Sequence, residues 1–180
     1  MPRLRVMAHV LFTTAFGTCG IAWNERGLSR FQLPEETEGL TGKRLAAGAG
    51  ELVAEEEAPA WVRDAVARVR RHFEGDVQDF TDVTVDWTLV SQFQKAVYLQ
   101  AQSIKPGFKN SYGEIARALA LGPESARAVG AALSANPWPL IVPCHRVVSA
   151  SGKMTGFSAP GGVRTKARML ALEGAELLSE

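Results

Sequence analysis

A proline followed by a thiol, an imidazole and a guanidinium, Pro143-Cys144-His145-Arg146, closes the apolar run Leu140-Ile141-Val142. A cysteine after an apolar segment is by default buried and inert. Its two basic neighbours argue for a second role. A buried polar side chain needs a partner, and a nucleophilic thiolate needs positive charge or a base beside it to exist at neutral pH. Geometry limits how the groups act together, because successive residues point to opposite faces of a strand and diverge by about 100° on a helix. A direct bond from Cys144 to His145 is therefore not expected, and a bridging water or a local helical turn must couple them. The apolar run itself reads as a strand that delivers Cys144.

The elements around this segment follow from periodicity. A helix fits Phe93, Val97, Ala101 and Ile104 and stops at Lys105-Pro106-Gly107. Ser111 and Glu114 have capping-box spacing and announce a second helix through Ile115, Ala116 and Leu119, which Gly122-Pro123 breaks. A third runs from Glu124 to Ala135, and two short helices joined by so tight a turn read as a helix-turn-helix. The last of these surrounds Arg127 with small residues, Ala126, Ala128 and Gly130. Close helix packing explains that composition, and so does a narrow face that approaches a DNA groove while Arg127 reaches in. Asn136-Pro137-Trp138-Pro139 turns the chain back toward Cys144, and a closing helix spans Thr165 to Glu173.

Upstream, Val10-Leu11-Phe12, Gly20-Ile21-Ala22-Trp23 and Phe31-Gln32-Leu33 alternate with turn residues and predict a small antiparallel meander. Residues 35–57 are polar and Gly- and Glu-rich, with at most a short helix. Trp61, Val62, Ala65, Val66, Val69 and Phe73 recur at helical spacing and predict a helix with its aromatic members in the core.

The 180 residues, 46% hydrophobic and 22% charged, make ordinary globular material, enough for one substantial core or two small ones. No signal-peptide core and no apolar stretch near the roughly 20 residues of a membrane span is present, so a cytoplasmic or nucleoid setting and no membrane partner are expected. Cys19 and Cys144 are the two cysteines, and their spacing fits neither a disulfide scaffold nor a zinc site with His9, His72 and His145. Net charge is +1, unevenly spread: ten Lys and Arg against fourteen acidic residues in the first 90, ten against five thereafter. The second half, at +5, has the sign of a phosphate-binding surface.

From Phe93 to Gly174 the chain resembles the O6-alkylguanine-DNA alkyltransferases, also called methylated-DNA-protein-cysteine methyltransferases. The carriers are SYGEIA, ARAVG, NPWP, IVPCHRVV, GFSAPGG and LEG. FGTCGIAW and the turn after it resemble the family's variable N-terminal domain more loosely. The resemblance implies an α+β, two-domain chain: a ribonuclease-H-like domain over residues 1–88 with a small antiparallel sheet and helix, and a mostly helical DNA-binding and alkyltransferase domain over 89–180. It implies Cys144 as the alkyl acceptor, His145 polarising it through a water, Glu173 holding His145, and Tyr112 donating to the guanine ring nitrogen. Arg127 would fill the place of a flipped base, and Asn136 would link the helix-turn-helix to the active-site segment. The carbonyls of Cys144 and Val147 would accept from the exocyclic amine. Phe157 and Pro139 would wall the pocket, and Ser158 or Ala159 would contact O6. It implies double-stranded DNA carrying O6-alkylguanine as partner, a monomer, no dissociable cofactor and no metal, since this N-terminal half lacks the ligands for the zinc of some members. A lesion binder without transfer, a cysteine hydrolase and a plain helix-turn-helix regulator are the competing readings. Cys144, Arg127 and the PCHR sequence respectively weigh against them.

Overall fold

The computed structural model describes residues 7–46, 49–151 and 161–175, which mix helix and strand. The chain gathers into two compact units, one of Met1–Gln78 with Asp82–Asp86 and the other of Asp79–Thr81 with Trp87–Glu180.

In the first unit β1 (Met7–Thr14), β2 (Gly17–Asn24) and β3 (Gly27–Gln32) form the expected meander, β1 pairing antiparallel with β2 from Met7 opposite Asn24 to Thr14 opposite Gly17. The polar stretch that follows does more than line a surface. Helix α1 (Glu38–Ala46) carries the chain across, and β4 (Glu51–Leu52) returns parallel to β1, giving the order β3-β2-β1-β4. The sheet is thus not wholly antiparallel. A parallel return needs a crossover, and two residues of strand leave no alternation to read. At the β2–β3 turn Gly27 takes φ 140°, and a Cβ there would stand 2.7 Å from the Thr84 carbonyl oxygen. That close approach lets Leu28 N–H donate to Thr84 at 2.9 Å.

Helix α2 (Ala60–Phe73) buries Val62, Ala65, Val66, Val69 and Phe73, as its period requires. Trp61 departs from expectation at 41% exposure. It lies in the first turn, on the rim of an open cleft that it lines with Trp23, Arg26 and Val83. Periodicity continues one residue past the layer that covers it.

The second unit opens with α3 (Gln92–Gln102), capped reciprocally by Ser91 and Gln94. It buries Val97, Tyr98 and Ala101, while Phe93 in its first turn is 38% exposed rather than core. A two-residue strand, β5 (Asn110–Ser111), leads into α4 (Tyr112–Ala118). The Ser111 hydroxyl accepts from Glu114 N–H at 3.0 Å, but the Ser111 N–H goes to Asn110 Oδ1 at 3.1 Å, so only half of the expected box forms. After α4 and a one-turn 3-10 helix over Pro123–Ser125 comes α5 (Ala126–Ser134), which buries Val129, Ala132 and Leu133. Trp138 is fully buried, with Trp87 and Tyr98 edge-on at 5.5 and 6.2 Å.

The predicted strand before Cys144 is absent. Leu140 and Ile141 turn, Leu140 with φ 76°, and Pro139 and Val142 bridge to each other across that turn. An apolar run buried on every side has the same pattern whether extended or turned, and Pro139 and Pro143 remove two ladder donors. Strand returns only at β6 (Val147–Val148), parallel to β5 with Ser111 opposite Val148. The closing α6 (Gly162–Leu172) buries Lys166, Met169 and Leu170. Among the described residues no helix is long and apolar enough to cross a membrane.

Candidate active site

Pro143 sets the geometry of the thiol. Its φ of −81° and ψ of 65° make an inverse γ-turn, closed by Cys144 N–H to Val142 O at 2.8 Å. Cys144–Arg146 then form one turn of 3-10 helix, ending where Val147 N–H donates to Cys144 O. Adjacent side chains in such a turn diverge by about 120°. Cys144 and His145 point apart, and a local helical turn is what couples them.

Helix α6 supplies the partners. Glu173 stands at its C-cap, and Gly174 at φ 78° lets the helix end there, with Ala175 N–H to Leu170 O at 3.0 Å and Gly174 N–H to Ala171 O at 3.0 Å. The buried Glu173 carboxylate hydrogen-bonds His145 Nε2 through Oε1 and receives Arg146 Nε at 3.0 Å and Nη2 at 2.7 Å on Oε2. Arg146 Nη1 also donates to Ile104 O at 2.7 Å, tying the end of α3 to the same cluster. Arg146 is thus a structural counter-ion, a bidentate one that the motif alone did not assign.

The charges follow from these contacts. Burial raises the Glu173 carboxyl, but the His145 and Arg146 interactions outweigh it and hold it at about 2. An anionic carboxylate only accepts, so His145 carries its proton on Nε2 and leaves Nδ1 as the basic nitrogen. That Nδ1 is buried and has no hydrogen-bond partner among the described residues. Burial, helped by the nearby Arg146 and Lys166 charges, pushes His145 down against the pull of Glu173. His145 is therefore a neutral base and not the positive neighbour that the motif first implies. Burial pushes the Cys144 thiol up; an Asn136 side-chain hydrogen bond, the Lys166 charge and the backbone N–H groups of Cys144 and His145 pull it back.

Asn136 joins α5 to this turn: Nδ2 donates to Val142 O at 2.9 Å, and Oδ1 accepts Trp138 N–H at 2.9 Å. Tyr112, half-buried at the start of α4, faces Lys166, whose Nζ lies 5.9 Å from the ring centre. Gly130 of α5 stands beside the same ring, where a Cβ would meet two ring carbons at 3.8 and 3.9 Å. Arg127 and Ala128 are exposed on α5, with Ala126 half-buried behind them. Pro139 is half-buried. Val147 is fully buried, and its carbonyl accepts Lys166 Nζ at 2.7 Å, leaving its second lone pair. Phe157, Ser158 and Ala159 lie outside the described residues, as do Met1 to Val6.

Two residues near the thiol were missed. Tyr98 of α3, its hydroxyl bonded to Ala132 O at 2.6 Å, is raised to about 12 by burial and by the charge of Cys144. Lys166 was passed over among Arg164 and Arg168, although it falls with Met169, Leu170 and Glu173 at positions i, i+3, i+4 and i+7 of one helix face.

What the two units define is a mixed α+β chain carrying a buried thiol with a base and a cation built around it. Residues 92–175 match the family model described as 6-O-methylguanine DNA methyltransferase, DNA binding domain. Methylated-DNA–protein-cysteine methyltransferase of Mycolicibacterium paratuberculosis is 43% identical over 117 residues, covering 65% of this chain and 68% of that one. The protein of the same name from Methanosarcina acetivorans is 33% identical over 168 residues, 93% of this chain and 99% of that one. The crystal structure of Mycobacterium tuberculosis OGT in complex with DNA superposes with a TM-score of 0.74 at 32% identity, covering 93% and 92% of the two chains. The chain belongs to the methylated-DNA–protein-cysteine methyltransferase family.

Proposed function

We propose that this protein repairs O6-alkylguanine in double-stranded DNA by direct reversal, moving the alkyl group irreversibly onto Cys144. The observation that carries the reading is the convergence of Cys144, His145 and Glu173, in a chain of this family, from one tight turn and one helix end. The thiol proton passes to His145 Nδ1 through a bridging water while Glu173 steadies the imidazolium that forms. The thiolate attacks the alkyl carbon, the bond from carbon to O6 breaks, and a thioether forms. Guanine leaves with one proton on its ring nitrogen, assisted by the Tyr112 hydroxyl, so the net proton movement is from thiol to base. A thioether offers water no carbonyl to attack. Each molecule therefore acts once, with no dissociable cofactor.

A base inside a duplex cannot reach a buried thiol, and rotating it out costs a few kcal/mol. The exposed Arg127 occupies its place. The α4, turn and α5 segment acts as a helix-turn-helix whose outer face, with Ala126, Ala128 and Arg127, is narrow enough for close approach. Lesions occur in any sequence, which favours backbone and minor-groove contacts over base readout. Gly130 serves this arrangement by leaving room for Tyr112. Asn136 orients the thiol turn, Cys144 and Val147 carbonyls take the exocyclic amine, and Pro139 and Phe157 wall the pocket, with Ser158 or Ala159 donating to O6. Residues 1–88 form a ribonuclease-H-like domain and 89–180 the transferase domain, working as a monomer in a cytoplasmic or nucleoid setting.

The reading is tested by titrating the protein with excess duplex containing O6-methylguanine. Repair stops at one equivalent per protein molecule. Repeated turnover contradicts the mechanism, and no repair with intact DNA binding makes the protein a lesion binder.

A further inference from the structure

Lys166 is one of the largest fully buried side chains of the molecule, at 1% exposure. A lysine loses rotamer freedom and hydration when buried, so an ammonium kept inside needs groups to face. Its Nζ donates to the Val147 carbonyl at 2.7 Å and lies 5.9 Å from the centre of the Tyr112 ring. Val147 is the residue whose N–H closes the turn on Cys144 O, and the pairing of β5 with β6 sets Tyr112 next to that strand. Lys166 is therefore clamped between the two elements that present the thiol and the phenol. Glu173, seven residues on, grips His145 and Arg146 from the same helix face. One helix thus offers a cation to the strand after the thiol and an anion to the imidazole.

We propose that Lys166 is a positioning residue of the transfer: its ammonium, held against Val147 O and the Tyr112 face, supplies the positive charge against which the Cys144 thiolate forms. His145 then acts purely as a neutral proton acceptor. The inference rests on Cys144 being the alkyl acceptor. The directions of titration support it: the Lys166 charge pulls the thiol down against burial, and the sulfur in turn holds Lys166 protonated against burial. The other ionisable groups around the thiol are His145 and Arg146 on its own turn, Glu173 on α6, Tyr98 on α3 and Tyr112 on α4. Of these, His145 is the rival source of positive charge.

The experiment follows the pH dependence of Cys144 alkylation by iodoacetamide, resolved by peptide mass, in the full chain. The fully buried Cys19 reports unfolding by reacting only when the fold opens. Lys166→Gln keeps a donor for Val147 O and removes the charge; Lys166→Arg keeps the charge. The expected result is a midpoint moved up by about one pH unit or more in Lys166→Gln, a roughly tenfold lower rate below the midpoint, with Lys166→Arg close to the unaltered protein. A Lys166→Gln rate unchanged, or lowered by one constant factor at every pH, overturns the assignment and leaves Lys166 a packing residue. Should Lys166→Gln not fold, His145→Gln decides. A midpoint that stays put keeps the charge with Lys166, and one that rises by a unit gives it to His145. Methyl transfer from O6-methylguanine duplex is measured on the unaltered protein in parallel. Failure there overturns the repair reading, whereas transfer with an unmoved Lys166→Gln midpoint overturns only the Lys166 role.

Discussion

Cys19 and Cys144 are the same side chain at nearly the same burial, 0% and 8% exposed, in two different units of the molecule. Cys19 sits on β2, and burial raises it to about 12 against a single opposing contact, the Thr14 hydroxyl at 3.8 Å. Cys144 is raised by burial too, yet it has the Asn136 amide, the Lys166 charge and two backbone N–H groups arranged around it, with a base one residue away. Burial therefore does not separate an inert thiol from a working one. The difference lies in what faces the sulfur, and the helical unit brings four separate elements to that task.

The sharpest way to break the comparison is to remove each sulfur in turn. Cys144→Ala should lose all transfer while retaining binding to O6-methylguanine duplex, measured by gel shift. Cys19→Ala should keep full transfer and lose about 1 kcal/mol of stability from the small cavity it leaves. Next in size is Glu173→Gln. It leaves Arg146 buried without its counter-ion and should cost about 3–5 kcal/mol in denaturant unfolding. The same carboxylate gives a pH signature. Its folded value of about 2 lies below the ordinary 4.5, so the unfolded chain takes up the proton first. The stabilisation is complete above pH 4.5 and disappears as pH falls toward 2, a slope that Glu173→Gln should flatten.

Asn136→Ala removes both the donor to Val142 O and the acceptor for Trp138 N–H. A loss of about 1–3 kcal/mol is expected, with the Cys144 alkylation midpoint moving up and Cys19 untouched. The smallest effect comes from the backbone under Glu173. Helix α4 ends in the same hydrogen-bond pattern as α6, with Leu121 N–H to Ala116 O at 2.9 Å, but with Ala120 at φ 58° where α6 has Gly174. Gly174→Ala should therefore cost about 1 kcal/mol in thermal unfolding and slow transfer modestly, because only the carboxylate's mount is strained.

The nucleophile, its neighbour and the helix succession were readable in the sequence because each leaves a local mark: Pro143-Cys144-His145, the Ser111 cap, the apolar spacing of α3 and α6. What was not readable depended on how elements dock. Leu140–Val142 turns rather than extends because burial on all sides erases the alternation that distinguishes the two. Trp61 and Phe93 continue an apolar stripe beyond the layer that covers it. Lys166 looks like one more solvated charge until the strand after Cys144 lies over it, and Arg146 finds Glu173 only once α6 closes. The role of β4 rests on two residues, too few to show a period.

The measurement that bears most directly on the account is intact-protein mass after incubation with O6-methylguanine duplex, followed by peptide mapping. One gain of about 14 Da, carried by the peptide that holds Cys144 and persisting after the DNA is removed, is the expected result for a methyl group bound to a cysteine that is never freed. An unchanged mass, or a gain carried by the peptide that holds Cys19, would contradict it.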